Sequence, residues 1–147
     1  MNQDFVEMLS ELSAAGAEFI IVGAHALAVH GLPRATGDLD IWIRSTPENA
    51  GKVWKVLTAF GAPLDQLTMN DLSTPGIIFQ IGVVPCRIDI LTDIDGVEFD
   101  EAWANRKYIK IHSIDVPVIG MQELLKNKKA AGRPQDIADV TRLESGE

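Results

Sequence analysis

The 147-residue chain has a single cysteine, Cys86, so no intramolecular disulfide framework is available and a cysteine-rich zinc site has no ligands to draw on. Cys86 borders an apolar run, and a buried structural thiol is expected there. Long hydrophobic runs are also missing. The longest, such as Phe19-Ile20-Ile21-Val22, are strand-sized, far below the roughly 20 residues that span a bilayer. The start, Met1-Asn2-Gln3-Asp4, has no basic stretch of the kind that opens a signal peptide, and a cytoplasmic location without membrane attachment is expected. Positive charge is scarce, with 13 Lys and Arg against 21 Asp and Glu, and the net charge of −8 argues against an extended nucleic-acid surface. The exception is Lys126 to Arg133, where four cations gather in an otherwise acidic chain.

What is present fits one domain over residues 1–147, with about residues 120–147 forming a helical C-terminal appendage. Phe5, Met8, Leu9 and Leu12 recur at helical spacing before Gly16. Phe19–Val22 reads as a buried strand, 24–30 as a short helix, 32–37 as a loop and 38–44 as a second strand. A helix begins at Pro47, capped by Ser45 or Thr46, and stops at Gly61, with Val53, Trp54, Leu57 and Phe60 as its apolar stripe. Strands are expected over 76–84 and 87–91, a short helix over 98–105, a hairpin over 108–112 and 116–119, and helices over 121–130 and 135–143. The fold class is α/β (α+β): a small mixed sheet flanked by helices, with two helices at the C-terminus.

Asp38-Leu39-Asp40-Ile41-Trp42-Ile43 carries the most chemistry. Alternation along a strand puts Asp38, Asp40 and Trp42 on one face and Leu39, Ile41 and Ile43 on the other. Two neighbouring carboxylates repel unless a cation sits between them, and oxygen ligands favour magnesium or manganese over zinc. Asp89, in Arg87-Ile88-Asp89-Ile90-Leu91, shares a face with Arg87 and Leu91. Two readings stand for it: a third metal carboxylate converging on Asp38 and Asp40, or the partner of an ion pair with Arg87 or another cation. Asp93 and Asp95, followed by Gly96, read as a turn.

Upstream, Val22-Gly23-Ala24-His25-Ala26 joins a strand to a helix through small residues, where backbone N–H groups can meet phosphate. With Asp38 fifteen residues further on, the segment 19–43 resembles the nucleotidyltransferase superfamily with DNA polymerase beta-like active sites, and within it the minimal AbiEii/AbiGii-type proteins. The likeness runs from Phe19 to about Leu143. It implies Gly23 in the glycine turn, Arg34 and Thr36 in an Arg-x-Thr element, and Asp38, Asp40 and Asp89 as catalytic metal ligands. Lys128 to Asp139 is similar to that group's Lys…Arg…Asp element. One position departs: the family's second turn residue is usually Gly or Ser, and Ala24 supplies no hydroxyl.

The implied activity moves a nucleoside monophosphate from a nucleoside triphosphate to an acceptor hydroxyl with Mg²⁺ or Mn²⁺. Gly23, Ala24, Arg34, Thr36 and Lys128 are the nucleotide-binding candidates. Arg34 is read either as a phosphate contact or as a partner of Asp38 or Asp40. The basic residues Lys128, Lys129 and Arg133 serve either a helix C-terminus or the nucleotide, with Lys128 the choice for triphosphate and Asp136 orienting it or capping the last helix. His25, His30 and His112 read as structural or surface residues, and Trp42 as a core residue. The acceptor is left open among an RNA end, a protein hydroxyl and a small molecule such as an antibiotic. A role in a toxin–antitoxin or defence system is one expectation. The alternative is a nucleotidyltransferase-fold binding or regulatory partner with weak or absent activity. The short chain also leaves room for a homodimer or a cognate protein to complete the site.

Overall fold

A computed structural model describes residues 1–34, 37–83 and 86–146. The elements run α1 (Gln3–Ala14), β1 (Phe19–Val22), α2 (Gly23–Val29), β2 (Leu39–Ile43), α3 (Pro47–Phe60), a 3₁₀ turn (Met69–Ser73), β3 (Ile78–Ile81), β4 (Ile88–Leu91), α4 (Phe99–Ala104), β5 (Lys107–Ile111), β6 (Ile114–Val118), α5 (Met121–Ala131) and α6 (Pro134–Ser145). Apart from the 3₁₀ turn, this is the order expected from the sequence.

Local chemistry accounts for the helix ends. Asn2 caps α1 by accepting from the Asp4 N–H at 2.7 Å, and the face bearing Phe5, Met8, Leu9 and Leu12 is buried. In α3, Thr46 accepts from the Asn49 N–H, Pro47 opens the first turn and Gly61 closes the helix in the left-handed conformation. Its buried face is rotated from the expected stripe: Ala50, Val53, Val56 and Leu57 are inside, while Trp54 and Phe60 are only partly covered. Asn49 explains the rotation. Its side chain bonds the Glu18 N–H and the carbonyls of Glu18 and Arg44, tying the start of α3 to the strands β1 and β2.

The six strands form one mixed sheet in the order β3-β4-β2-β1-β6-β5. β1 runs antiparallel to β2 with Val22 opposite Asp40, and β2 runs parallel to β4 with Asp40 opposite Asp89. The sheet end where β1 finishes is therefore the end where β2 and β4 begin. Leu39, Ile41, Ile43, Ile88 and Ile90 are buried in a contiguous core with α1 and α3 residues. Fully buried β-branched side chains on these strands suit a pleated interior.

Three further expectations change. Cys86 is exposed, because burial on this segment begins only at Ile88. β3 is shorter than 76–84; Gly76 and Gly82 adopt positive φ at its two ends, and Ile78 and Val83 lie exposed on this edge of the sheet. His112 is not in a strand: with Ser113 it forms the two-residue turn of the β5–β6 hairpin, with φ of 46° and 72°, and β6 starts earlier, at Ile114. Among the described residues no helix is long and apolar enough to cross a membrane.

Candidate active site

The site forms where β1 turns into α2. Gly23 has φ +70°, and a Cβ there would run into Asp40 Oδ2 and lie 2.9 Å from Asp40 Cγ. The glycine is thus required twice, by conformation and by the carboxylate that lies against it. Val22 contributes no side-chain cap to α2, so the first N–H groups of that helix, at Gly23 and Ala24, have no side-chain cap.

The carboxylates converge as the strand order demands. Asp89 is 7% exposed and sits in register with Asp40 on the neighbouring strand, within side-chain hydrogen-bonding reach of it. Asp38 lies just before β2 rather than within it. Burial, then repulsion from Asp89 and Asp38, pushes the Asp40 carboxyl up to about 6, against the pull of Arg87. Arg87 is the cation these groups share. Its Nε lies 2.8 Å from Asp89 Oδ1, and its Nη2 lies 3.2 Å from both Asp89 Oδ2 and Asp38 Oδ2. Asp89 therefore forms the ion pair with Arg87 that one of its two readings expected, and it does so beside Asp40.

A cleft of about 460 Å³ opens beside Gly23 and Asp40, within the size range of small-ligand sites. Gly76, Ile78 and Leu91 line one side, Asp93, Ile94 and Asp95 another, and Asn127, Lys128 and Arg133 reach in from α5 and the α5–α6 junction. Lys128 is 8% exposed and lies 3.3 Å from Asp136 Oδ1 and 3.2 Å from Asp139 Oδ2. Asp136 also accepts from the Arg133 backbone N–H and guanidinium, so it both caps α6 and orients Lys128. Arg34 pairs with Asp139, Nη1 to Oδ2 at 3.2 Å and Nη2 to Oδ1. Asp139 is thus its carboxylate partner among the described residues. The chain Arg34–Asp139–Lys128–Asp136–Arg133 ties the loop before the carboxylates to the last two helices.

The arginine and lysine contacts hold both aspartates in their charged form. For Asp136 the Arg133 hydrogen bond leads, overcoming burial with help from Lys128, and its pKa falls below the ordinary range. For Asp139 burial is the largest single influence and pushes upward, but the bonds and charges of Arg34 and Lys128 together outweigh it.

Of the residues expected at the site, the structure gathers Gly23, Asp40 and Lys128 around the cleft, with Ala24 adjoining through α2, Asp89 through β4 and Asp38 through Arg87. Arg34 reaches the cleft only through Asp139 and Lys128. Thr36 lies outside the described residues. The Arg87–Asp89 pair was one of the two readings for Asp89; that Arg87 also reaches Asp38 was not expected. His30 is structural, its Nε2 2.7 Å from the Ile119 carbonyl, and Trp42 is 2% exposed in the core, edge-on to Phe99.

Residues 1–145 match the family described as "Nucleotidyl transferase of unknown function (DUF2204)". The chain belongs to this nucleotidyltransferase family. Among solved structures, this nucleotidyltransferase is similar to a candidate nucleotidyltransferase from Thermotoga maritima, TM-score 0.65 and 12% identity, covering 97% of this chain and 91% of the other. It is also similar to the lincosamide antibiotic adenylyltransferase LnuA, solved with lincomycin bound, TM-score 0.62 and 13% identity, over 99% and 97% of the two chains. At these identities the likeness is one of fold. No curated protein sequence matches significantly. Membership implies a nucleoside triphosphate as one substrate.

The donor set suits a hard divalent cation: three carboxylates, two of them in register, crowded enough that burial and mutual repulsion raise Asp40. As they stand, no three His, Cys, Asp or Glu side chains among the described residues are drawn together into a cation site, and a guanidinium serves Asp38 and Asp89 instead.

Proposed function

We propose that the protein transfers a nucleoside monophosphate from a nucleoside triphosphate to an acceptor hydroxyl. The observation that carries this reading is the cleft whose lining brings Gly23 and Asp40 together with Lys128 and Arg133. The triphosphate lies along the backbone N–H groups of Gly23 and Ala24, with Lys128 and Arg133 neutralising its charge. Arg34 acts through Asp139 to hold Lys128 in place, and Thr36 joins the nucleotide-binding group by resemblance alone. Asp38, Asp40 and Asp89 would hold Mg²⁺ or Mn²⁺, which supplies charge neutralisation at the reacting phosphate. Asp89, beside the acceptor, takes the hydroxyl proton as the acceptor oxygen attacks the α-phosphorus. The bond from that phosphorus to the bridging oxygen breaks, and pyrophosphate leaves. No covalent intermediate is needed, because position and electrostatics carry phosphoryl chemistry.

A small-molecule acceptor is favoured. The net charge of −8 disfavours a long RNA footprint, and a structural neighbour acts on a lincosamide antibiotic. A defence or toxin–antitoxin setting follows from the AbiEii/AbiGii-type pattern Arg34-x-Thr36-x-Asp38-x-Asp40, and the chain acts as one domain, alone or as a homodimer. A second reading, a binding partner with weak activity, is favoured by Ala24 and by the arginine already paired in the carboxylate cluster.

The deciding experiment incubates the protein with each labelled nucleoside triphosphate, Mg²⁺ or Mn²⁺, and a panel of hydroxyl-bearing small molecules, RNA and cell extract. Label transfer that disappears in Asp40→Ala supports the enzyme. A wild type that neither binds nucleotide nor is stabilised by divalent cations sinks it in favour of the binding partner.

A further inference from the structure

We propose that Arg87 couples cation binding to nucleotide binding: it is the internal counter-ion of Asp38 and Asp89 in the nucleotide-free protein, and it passes to the triphosphate when substrate enters. The inference rests on the nucleotidyl-transfer reading of this site. Three contacts carry it. Both oxygens of Asp89 are engaged by Arg87, at 2.8 Å to Nε and 3.2 Å to Nη2, and Nη2 also meets Asp38 Oδ2 at 3.2 Å. Each Asp89 oxygen keeps a lone pair, but a cation and a guanidinium on one carboxylate repel, so a cation that takes Asp89 competes with Arg87.

Displacement is feasible on one side and costly on the other. The Arg87 side chain is 26% exposed and so has a route to solvent, whereas that of Asp89 is 10% exposed and stays with the strand. A released guanidinium has lost two carboxylate partners and needs another anion. Its planar fork binds phosphate oxygens as readily as carboxylate oxygens, and in the nucleotidyl-transfer reading a triphosphate enters the cleft at Asp40, the strand neighbour of Asp89. Cation alone must then compete with the arginine, while cation with triphosphate supplies the arginine with a new partner. Coupling of this kind is reciprocal, so the nucleotide also binds better when the cation is present.

Arg87 is thus a positioning residue, and the test reads binding rather than turnover. Mn²⁺ is titrated calorimetrically into the full-length wild type, Arg87→Gln and Arg87→Lys, each with and without a nucleoside triphosphate analogue bearing a non-cleavable α,β-methylene link. In the wild type the analogue should tighten Mn²⁺ by about tenfold or more, within the usual range for coupled sites. Arg87→Gln should bind Mn²⁺ alone about tenfold more tightly than wild type, and the analogue should then add little. Arg87→Lys, which keeps the charge without the fork, should fall between the two and covers the case in which the glutamine variant does not fold. The proposal is overturned if both variants show wild-type Mn²⁺ affinity and wild-type enhancement by the analogue. If no form binds either Mn²⁺ or the analogue, the nucleotidyl-transfer reading falls together with it.

Discussion

Gly23 decides where Asp40 can be. With φ at +70° and the Asp40 carboxylate lying where its Cβ would point, any side chain at 23 must push that carboxylate out of place. Gly23→Ala should lower nucleotidyl transfer about a hundredfold, the scale expected when a reacting group is misplaced by ~1 Å. Stability should drop by only about 1–2 kcal/mol, the cost of a left-handed backbone at a residue with a side chain. Activity assays run beside thermal melts separate the two effects; equal activity at unchanged stability would contradict the contact. The glycine was legible as a turn from its place between an apolar run and a helix. Its contact with Asp40 was not, because that depends on the antiparallel register of β1 and β2, which sequence alternation does not supply. Arg34 shows the same limit: a cation four residues before a carboxylate invites a local pairing, yet its partner lies 105 positions away.

At the level of elements, α5 and α6 are joined by charge as much as by apolar packing. Lys128 is the only described cation that meets both Asp136 and Asp139. Lys128→Met should cost about 3 kcal/mol in urea denaturation, the low end for breaking a buried ion pair, since Arg133 and Arg34 still face the two carboxylates. The two aspartates also set an acid limit. Their folded pKa values lie below the ordinary carboxylate value, so protons bind less well to the folded chain than to the unfolded one. The stability they contribute is then complete above pH ~4 and is lost as pH falls through the lowered values. A urea series from neutral to strongly acidic pH should show this fall, and Asp139→Asn should flatten it. Both helices were readable, with Gly132-Arg133-Pro134 marking the break between them. The 3₁₀ turn at Met69–Ser73 was not, because a Thr68–Asp71 capping box, not an apolar repeat, makes it.

For the molecule as a whole, the order of elements could be read from the sequence and the order of strands could not. Only the crossovers that place β4 beside β2 bring Asp89 to Asp40. The cleft's width depends on another close approach. Gly96 has φ +76°, and a Cβ there would lie 2.5 Å from Ala130 Cβ and 3.3 Å from the Lys126 carbonyl. Gly96→Ala should lift α5, and Lys128 with it, away from the carboxylates. The expected result is a KM for nucleoside triphosphate raised about tenfold with a smaller change in kcat, the pattern of weakened substrate binding. An unchanged KM would show that α5 has no part in holding the nucleotide.

The β5–β6 hairpin offers a different opportunity. Its turn, His112-Ser113, puts two residues with side chains into the left-handed region, and because β6 runs parallel to β1 the turn lies at the sheet end remote from Gly23. Asn-Gly suits that geometry, and the double replacement should raise the melting free energy by about 1 kcal/mol while leaving substrate kinetics untouched. The same turn is therefore a handle for the experimenter: a place to graft a fluorophore, a tether or a thermostabilising change, so that weakened variants of the reaction centre can be rescued and studied as folded proteins.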